Sequence, residues 1–538
     1  MKKAEKKIHV LNKILLLLFS LLFFRGSSKE IKDFNVIFIS LDTTRYDYID
    51  TGKGAKAFTP ELKRFSQSSV VFENAFSASS QTLPSHLVAF TSYLPYDLGV
   101  LCNEDSYDGS HKMIQQVFQG LSYNSAAIIS LGTLDSGTGL EKGFQEFKDD
   151  LFEDGIFFVP AEKITSEAIS LLQNIKNRRF FLFVHYSDPH TPYASPEVEG
   201  LFEIYLDGKL VAEFNSYRGA ILKKAVPISP GNHILELKAK HNFEDFSYFI
   251  IRGLEASQGC SLNVDNLEYS KELYGGSYLM RRPEGHLNIR CQKEGYLKIF
   301  QIIPILKKRA ALELYRKEVE YMDLHIGKFL DTLEKSGLMK KTIIVIFGDH
   351  GEGHGERENF FGHARFLNRQ FIHVPLIIWL PGVDGRRIHD HVSLLCISPT
   401  VLEFLGIRDE SFNFRKSLLK GIQKGKFKDK LICSFTFSPH TKLSKLSIIK
   451  WPYQGIFYSE QGVHKKSEFY NLDSSLSFSE RDAIPDEEIR KNSVRSYRHI
   501  QKKFNQVKSV LSHSSNHKNS LDIQKKQKLK SLGYVDFK

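Results

Sequence analysis

The chain has 538 residues, of which 41% are apolar and 25% charged, enough for several hydrophobic cores at roughly 100 to 200 residues per domain. This excludes a disordered chain, and 17 prolines without any repeat of long period exclude fibrous and solenoid architectures. The net charge of +12 sits almost wholly in Arg490–Lys538, with 13 basic and two acidic residues, while the first 489 residues balance at 61 against 60, so the excess marks a solvated or membrane-facing appendage and no nucleic-acid partner is expected.

In chain order, lysines at 2, 3, 6, 7 and 13 precede the apolar run Ile14–Phe24, followed by the small residues Gly26, Ser27 and Ser28. This is the pattern of an export signal, and the run is shorter than the roughly 20 residues that span a bilayer. Residues 1–28 are therefore expected to be a signal peptide or a membrane anchor, with the protein exported and either periplasmic or anchored facing outside the cytoplasm. The five cysteines lack the close spacing of a metal knuckle or redox pair. Cys260 and Cys291 are left as either a disulfide or two buried thiols.

Three short apolar runs then share one grammar. Phe34–Leu41 runs directly into Asp42, Phe180–His185 leads to Asp188-Pro189-His190, and Thr342–Phe347 leads to Gly348-Asp349-His350. Such runs read as strands buried on both faces of a parallel sheet. Between them, Glu162–Asn177 and Ala310–Ser336 carry helical apolar spacing, the second stopped by Gly337. Strands alternating with amphipathic helices predict an α/β body with a mostly parallel sheet, whose ligand lies beyond the carboxyl ends of the strands. Residues 199–305 break the rhythm with period-2 stretches and turn signals such as Asp207-Gly208, predicting an inserted all-β sandwich. Residues 426–475 read as a small C-terminal sheet and 476–538 as a basic tail, leaving 34–198 and 306–425 for the α/β body.

The chemistry concentrates at Thr82-Leu83-Pro84-Ser85-His86. Pro84 suits the first turn of a helix, which places Thr82 just before a helix start, where the dipole favours an anion or a developing alkoxide. His86, one turn on, is expected to point at the same anion. Asp349-His350 opens a glycine-rich loop in which backbone can approach closely. Asp42, Asp349 and His350 together with the Thr82 oxygen make a plausible divalent site of mixed oxygen and nitrogen character, suited to zinc or manganese. Such an ion would activate the Thr82 hydroxyl as a nucleophile. Asp188 reads equally as a ligand or a turn residue, and Arg45 and Asp47 as supports of the Asp42 loop.

With these pieces assembled, the chain resembles the sulfatase family within the alkaline phosphatase superfamily. The resemblance is carried by Asn35–Arg45, Thr59-Pro60, Thr82-x-Pro84-Ser85, Thr91–Pro95, His185–Tyr193, Gly348–Glu352 and Gly362-His363 with Val374-Pro375-Leu376. It implies Thr82 at the nucleophile position, Asp42, Asp349 and His350 as metal ligands, and His190 and His363 as groups that contact the transferred group or hold a second ion. His86 takes the place of an arginine in many sulfatases. One or two ions, zinc, manganese or calcium, are implied. Two departures stand out: Thr82 cannot be oxidised to the formylglycine of sulfatases proper, and Asp42-Thr43 replaces two adjacent acids. Both point to transfer or hydrolysis of phosphate esters on a small molecule, glycan or lipid headgroup. The alternatives are a sulfuric ester hydrolase without formylglycine, or a catalytically silent envelope protein whose β insertion binds glycan.

Overall fold

The computed structural model describes residues 31–51, 58–151, 158–191, 193, 202–214, 225–239, 246–270, 277–299, 301–425, 427, 431–438, 442–461, 463–472, 487, 490–499 and 502. The expected signal or anchor and most of the basic tail lie outside these residues. Among them, no helix is long and apolar enough to cross a membrane.

Eight strands form the central sheet, ordered from edge to edge Arg386–Ser393, Val70–Phe76, His373–Trp379, Thr342–Gly348, Asn35–Leu41, Phe180–Tyr186, Asn124–Ile128 and Glu146–Lys148. All run parallel except His373–Trp379, which is antiparallel to both neighbours. The three strands read from sequence are adjacent and central. Their continuous apolar composition follows from burial on both faces. Val36 and Phe38 pack into one core with the helices Thr82–Thr91 and Ile397–Leu405, while Ile37, Ile39 and Leu41 pack into the other with Ala161–Ile175 and Lys308–Lys335. The last helix ends two residues before Gly337, which takes φ +70°, a conformation glycine enters without steric cost.

Between Phe202 and Leu306 the described strands form antiparallel sheets of five, four and three strands around one apolar core that includes Phe202, Leu235, Phe249 and Leu287. Cys260 and Cys291 face each other on adjacent strands and are joined by a disulfide, which decides between the two readings. The C-terminal sheet is an antiparallel meander of Ile432–Ser438, Leu443–Lys450, Tyr453–Glu460 and Val463–Asn471. Its fourth strand has no sequence signature, because Val463-His464-Lys465-Lys466 is exposed and polar. The meander is fastened to the body beside Thr82: Ser434 Oγ donates to the Ser77 carbonyl at 2.6 Å, and Gln81 Nε2 donates to Thr436 Oγ1 and the Phe437 carbonyl, each at 3.0 Å.

Candidate active site

Strand register builds the site. Leu41 lies opposite Gly348 on one side and Tyr186 on the other, so the residues that follow, Asp42, Asp349 and Ser187, emerge together at one rim. Asp42 Oδ2 is 3.1 Å from His185 Nε2, and Asp349 Oδ1 accepts from the backbone N–H groups of Thr43 at 3.1 Å and His350 at 2.7 Å. The other oxygens, Asp42 Oδ1 and Asp349 Oδ2, are buried without a hydrogen-bond partner. Thr43 aims its N–H at Asp349 from a left-handed φ of 54°, an uncommon conformation for a β-branched residue. Tyr315 on the long helix holds that turn, its hydroxyl donating to the Thr43 carbonyl at 2.8 Å and accepting from Arg45 N–H at 3.0 Å.

His350 Nδ1 donates to the Gly351 carbonyl at 3.0 Å, which leaves the Nε2 lone pair facing Thr82 Oγ1 at 3.2 Å and Asp42 Oδ1 at 3.9 Å. The glycine after it is required: a Cβ on Gly351 would stand 2.0 Å from the Gln370 carbonyl. Asp42, Asp349 and His350 each offer a ligand atom within 4.8 Å of the others. Two orphaned carboxylate oxygens, an imidazole lone pair and a hydroxyl converging in a buried space are what a divalent cation requires. A buried anionic oxygen without a partner is otherwise costly.

Thr82 is itself the first residue of the helix, with Gln81 as the capping position, so the helix starts one residue earlier than the sequence reading. The Leu83 N–H at this end is taken by Asn103 Oδ1 at 2.9 Å, so it is the dipole more than a ring of open N–H groups that favours an anion here. His86 departs from expectation. Its Nδ1 donates to the Thr82 carbonyl and its Nε2 accepts from Ser40 Oγ, both at 2.7 Å. Both ring nitrogens are thus committed to protein atoms, and the residue braces the Thr82 turn against the central strand instead of facing an anion.

His190 and His363 do face the site. The His363 ring centroid lies 4.6 Å from that of His350 and 4.6 Å from that of His190, so the three imidazoles form a row beside Thr82. His363 Nδ1 shares a 2.9 Å hydrogen bond with Glu352 Oε2, and Tyr193 hydroxyl approaches Glu352 Oε1 at 3.3 Å. Asp188 Oδ1 accepts from Ala161 N–H at 2.9 Å, a helix-capping arrangement. Arg45 pairs with Asp47 and Glu356 and donates to the Glu352 carbonyl, the support role read from sequence.

Electrostatics follow from this packing. For Asp42, burial acts upward, but the His185 hydrogen bond and the fields of His350, His185 and His190 outweigh it and hold the carboxyl well below its usual range. Burial and the neighbouring Asp42 charge push Asp349 upward. Burial depresses His86 to about 3, and His350 and His363 to about 4, so all three are neutral at physiological pH. Neutral imidazole is the form that ligates a cation.

Sequence reasoning missed His185, Glu352 and Tyr315 as parts of the site. His185 and Glu352 lay inside recognised motifs, and an inward register at a strand end was the available signal for the first. Tyr315 has none, because its role depends on a helix 270 residues from the turn it holds.

Comparison with known proteins places this geometry. The family model described as Sulfatase matches residues 34–407. The N-acetylglucosamine-6-O-sulfatase of Bacteroides thetaiotaomicron is 23% identical over 406 residues, covering 70% of this chain and 69% of that protein. Lipoteichoic acid synthase 2 of Bacillus subtilis is 31% identical over 110 residues, 19% of this chain and 17% of that protein. Among solved structures, one in complex with its substrate D-glucosamine-2-N,6-O-disulfate superposes with a TM-score of 0.57 at 15% identity, over 88% of this chain and 99% of the other. A protein of the alkaline phosphatase superfamily from Vibrio parahaemolyticus gives 0.51 at 13% identity, over 91% and 89%. At these identities the structural likeness is one of fold.

Proposed function

The chain belongs to the sulfatase family, in the alkaline phosphatase superfamily, and from that premise we propose that it is an exported, metal-dependent enzyme using Thr82 as nucleophile on phosphate esters. The observation that carries this is Thr82 Oγ1, the first hydroxyl of a buried helix end, 3.2 Å from His350 Nε2 beside two orphaned carboxylate oxygens. A divalent cation held by Asp42, Asp349, His350 and Thr82 would lower the hydroxyl pKa and offset charge on the transferred group.

The remaining steps fall to the chain. Thr82 Oγ forms a bond to phosphorus as the bond to the departing alcohol breaks, in line, and water or an acceptor alcohol then releases the threonine ester. His190 and His363 hold the phosphoryl oxygens, and Glu352 fixes the ring of His363. His86 and Ser40 keep the Thr82 turn from shifting. Phosphate is favoured over sulfate because threonine cannot supply the aldehyde hydrate that the resemblance associates with sulfuryl transfer. A second reading, hydrolysis of sulfate esters on an amino sugar, is favoured by the N-acetylglucosamine-6-O-sulfatase likeness and the disulfated substrate of the structural neighbour. A glycan or lipid headgroup suits either.

Steady-state rates of the full-length protein on 4-nitrophenyl phosphate, its diester and 4-nitrophenyl sulfate, with zinc, manganese or calcium supplied, test this. The proposal expects kcat/KM at least tenfold higher on a phosphate. The reverse order establishes the second reading, and no turnover of any ester overturns both.

A further inference from the structure

Apart from the sheet rim, a cavity of about 310 Å³ lies between the segment that follows His363 and the C-terminal sheet, near the lower end of the roughly 300–1,000 Å³ typical of small-molecule sites. Among its lining residues four are cations and one, Glu358, is a carboxylate. Three of the cations stand at the exposed mouth, each paired: Arg365 with Glu358 at 2.9 Å, Lys465 with Glu460 at 3.0 Å and Lys466 with Glu468 at 2.8 Å.

Lys445 is different. It is 5% exposed, and its ammonium donates to the Arg365 carbonyl and lies 4.3 Å from the Phe366 ring centre and 5.2 Å from that of Tyr458. No carboxylate stands within ion-pair distance of it among the described residues. Burial, then the nearby Arg365, pulls its pKa down to about 7. A buried ammonium with three donors and one oxygen acceptor is under-solvated, and an anion entering the cavity would correct that.

We propose that this cavity binds a tetrahedral oxyanion, a sulfate or phosphate group, with Lys445 as its floor and Arg365, Lys465 and Lys466 drawing the anion in. The oxyanion is a second anionic substituent of the substrate, an assignment that rests on the ester-hydrolase reading above. The link is the wall itself. Glu358, Arg365 and Phe366 belong to the segment that carries His363, and Thr436 Oγ1 donates to the Ala364 carbonyl at 2.7 Å while Lys445 donates to the next. An occupant of the cavity therefore bears on the segment presenting the His363 imidazole.

Calorimetric titration of the metal-loaded full-length protein with sodium sulfate at pH 8 tests the site. Two sites are expected in the wild type and one in Lys445→Met, with proton uptake, seen as a buffer-dependent heat, in the wild type only. Lys445→Met that keeps both sites within twofold affinity overturns the proposal. If that variant fails to fold by circular dichroism, Arg365→Gln with Lys466→Gln replaces it, and sulfate affinity less than threefold weakened is the overturning result. Kinetics on sugars carrying one and two phosphates, and on sugars carrying one and two sulfates, identify the source of the anion, read on whichever pair the wild type turns over. Lys445→Met is expected to raise the KM ratio of the doubly to the singly substituted sugar at least tenfold; an unchanged ratio overturns the substrate assignment. Absence of wild-type turnover on both the phosphorylated and the sulfated sugars would refute the ester-hydrolase reading while the titration still judges the site.

Discussion

Asp42 and Asp349 end adjacent parallel strands in matched register, each with one oxygen satisfied by protein donors and one buried oxygen without a partner. Their pKa values move apart, Asp42 downward and Asp349 upward. Asp42 is held towards the charged form that a cation needs, while burial and the Asp42 charge make Asp349 the easier of the two to protonate.

Cation loading is therefore expected to release protons. Asp349, displaced upward without a cation, must ionise to ligate, so binding at a pH below its raised value frees up to about one proton. Calorimetry of the metal-free protein with zinc or manganese in buffers of different ionisation heat measures this. Asp349→Asn should abolish the release and lower metal content per chain, measured by elemental analysis. Unchanged metal content would remove Asp349 from the ligand set.

Thr82→Ala should lower kcat by at least about 10³-fold, as for loss of a nucleophile, with Tm within about 2 °C of wild type. The methyl group of alanine still fills the helix start, and the Thr82 carbonyl bond to His86 is a backbone feature that the change spares. Activity within threefold of wild type on every ester would end the nucleophile assignment.

Tyr315→Phe removes the hydroxyl that joins the Thr43 carbonyl to the Arg45 N–H. Leaving two buried backbone groups unpaired should cost about 2–6 kcal/mol of stability, at about 1–3 kcal/mol for each. Because Thr43 N–H in turn holds Asp349, metal affinity should fall about 10- to 100-fold, as for other outer supports of a ligand. Urea unfolding and competition with a chelating dye report the two effects separately.

Acid should destabilise the metal-free protein through His86. Burial holds its folded pKa at about 3, against roughly 6.5 in an unfolded chain. As pH falls below 6.5 the unfolded chain takes up a proton that the native state refuses, so stability is present above about 6.5 and is lost towards 3. Between pH 7.5 and 5 this share amounts to about 2 kcal/mol. Asp349 and Glu352, displaced upward by burial, act in the opposite sense, so the comparison is with His86→Gln, in which the acid loss on urea unfolding should be about 2 kcal/mol smaller.

The parts of the site that sequence made legible share a physical origin. Asp42, Asp349 and His350 stand where an apolar run stops, and a strand buried on both faces tolerates polar residues only at its ends, so the boundary itself is the signal. Thr82 was legible through Pro84, which marks the first helical turn. His86 was misread because helical spacing gives its height above Thr82 but not its direction, and its nearest partners, Ser40 Oγ as donor and the Thr82 carbonyl as acceptor, belong to the packing interface. The strand Val463–Asn471 escaped because an exposed edge needs no apolar alternation, and Tyr315 because its partners are set by the docking of a whole helix.

The pairing of Asn35–Leu41 with Thr342–Gly348 has a consequence for biogenesis. While the ribosome is still making the β insertion, the first strand of the body has no partner on that side, and the aspartate at its tip faces nothing it is built to meet. The insertion, closed on itself by the Cys260–Cys291 disulfide once that has formed, shortens the effective gap that this pairing must close. Because Asp42 and Asp349 come from the two halves, a divalent cation held between them would require that the distant halves have already been drawn together.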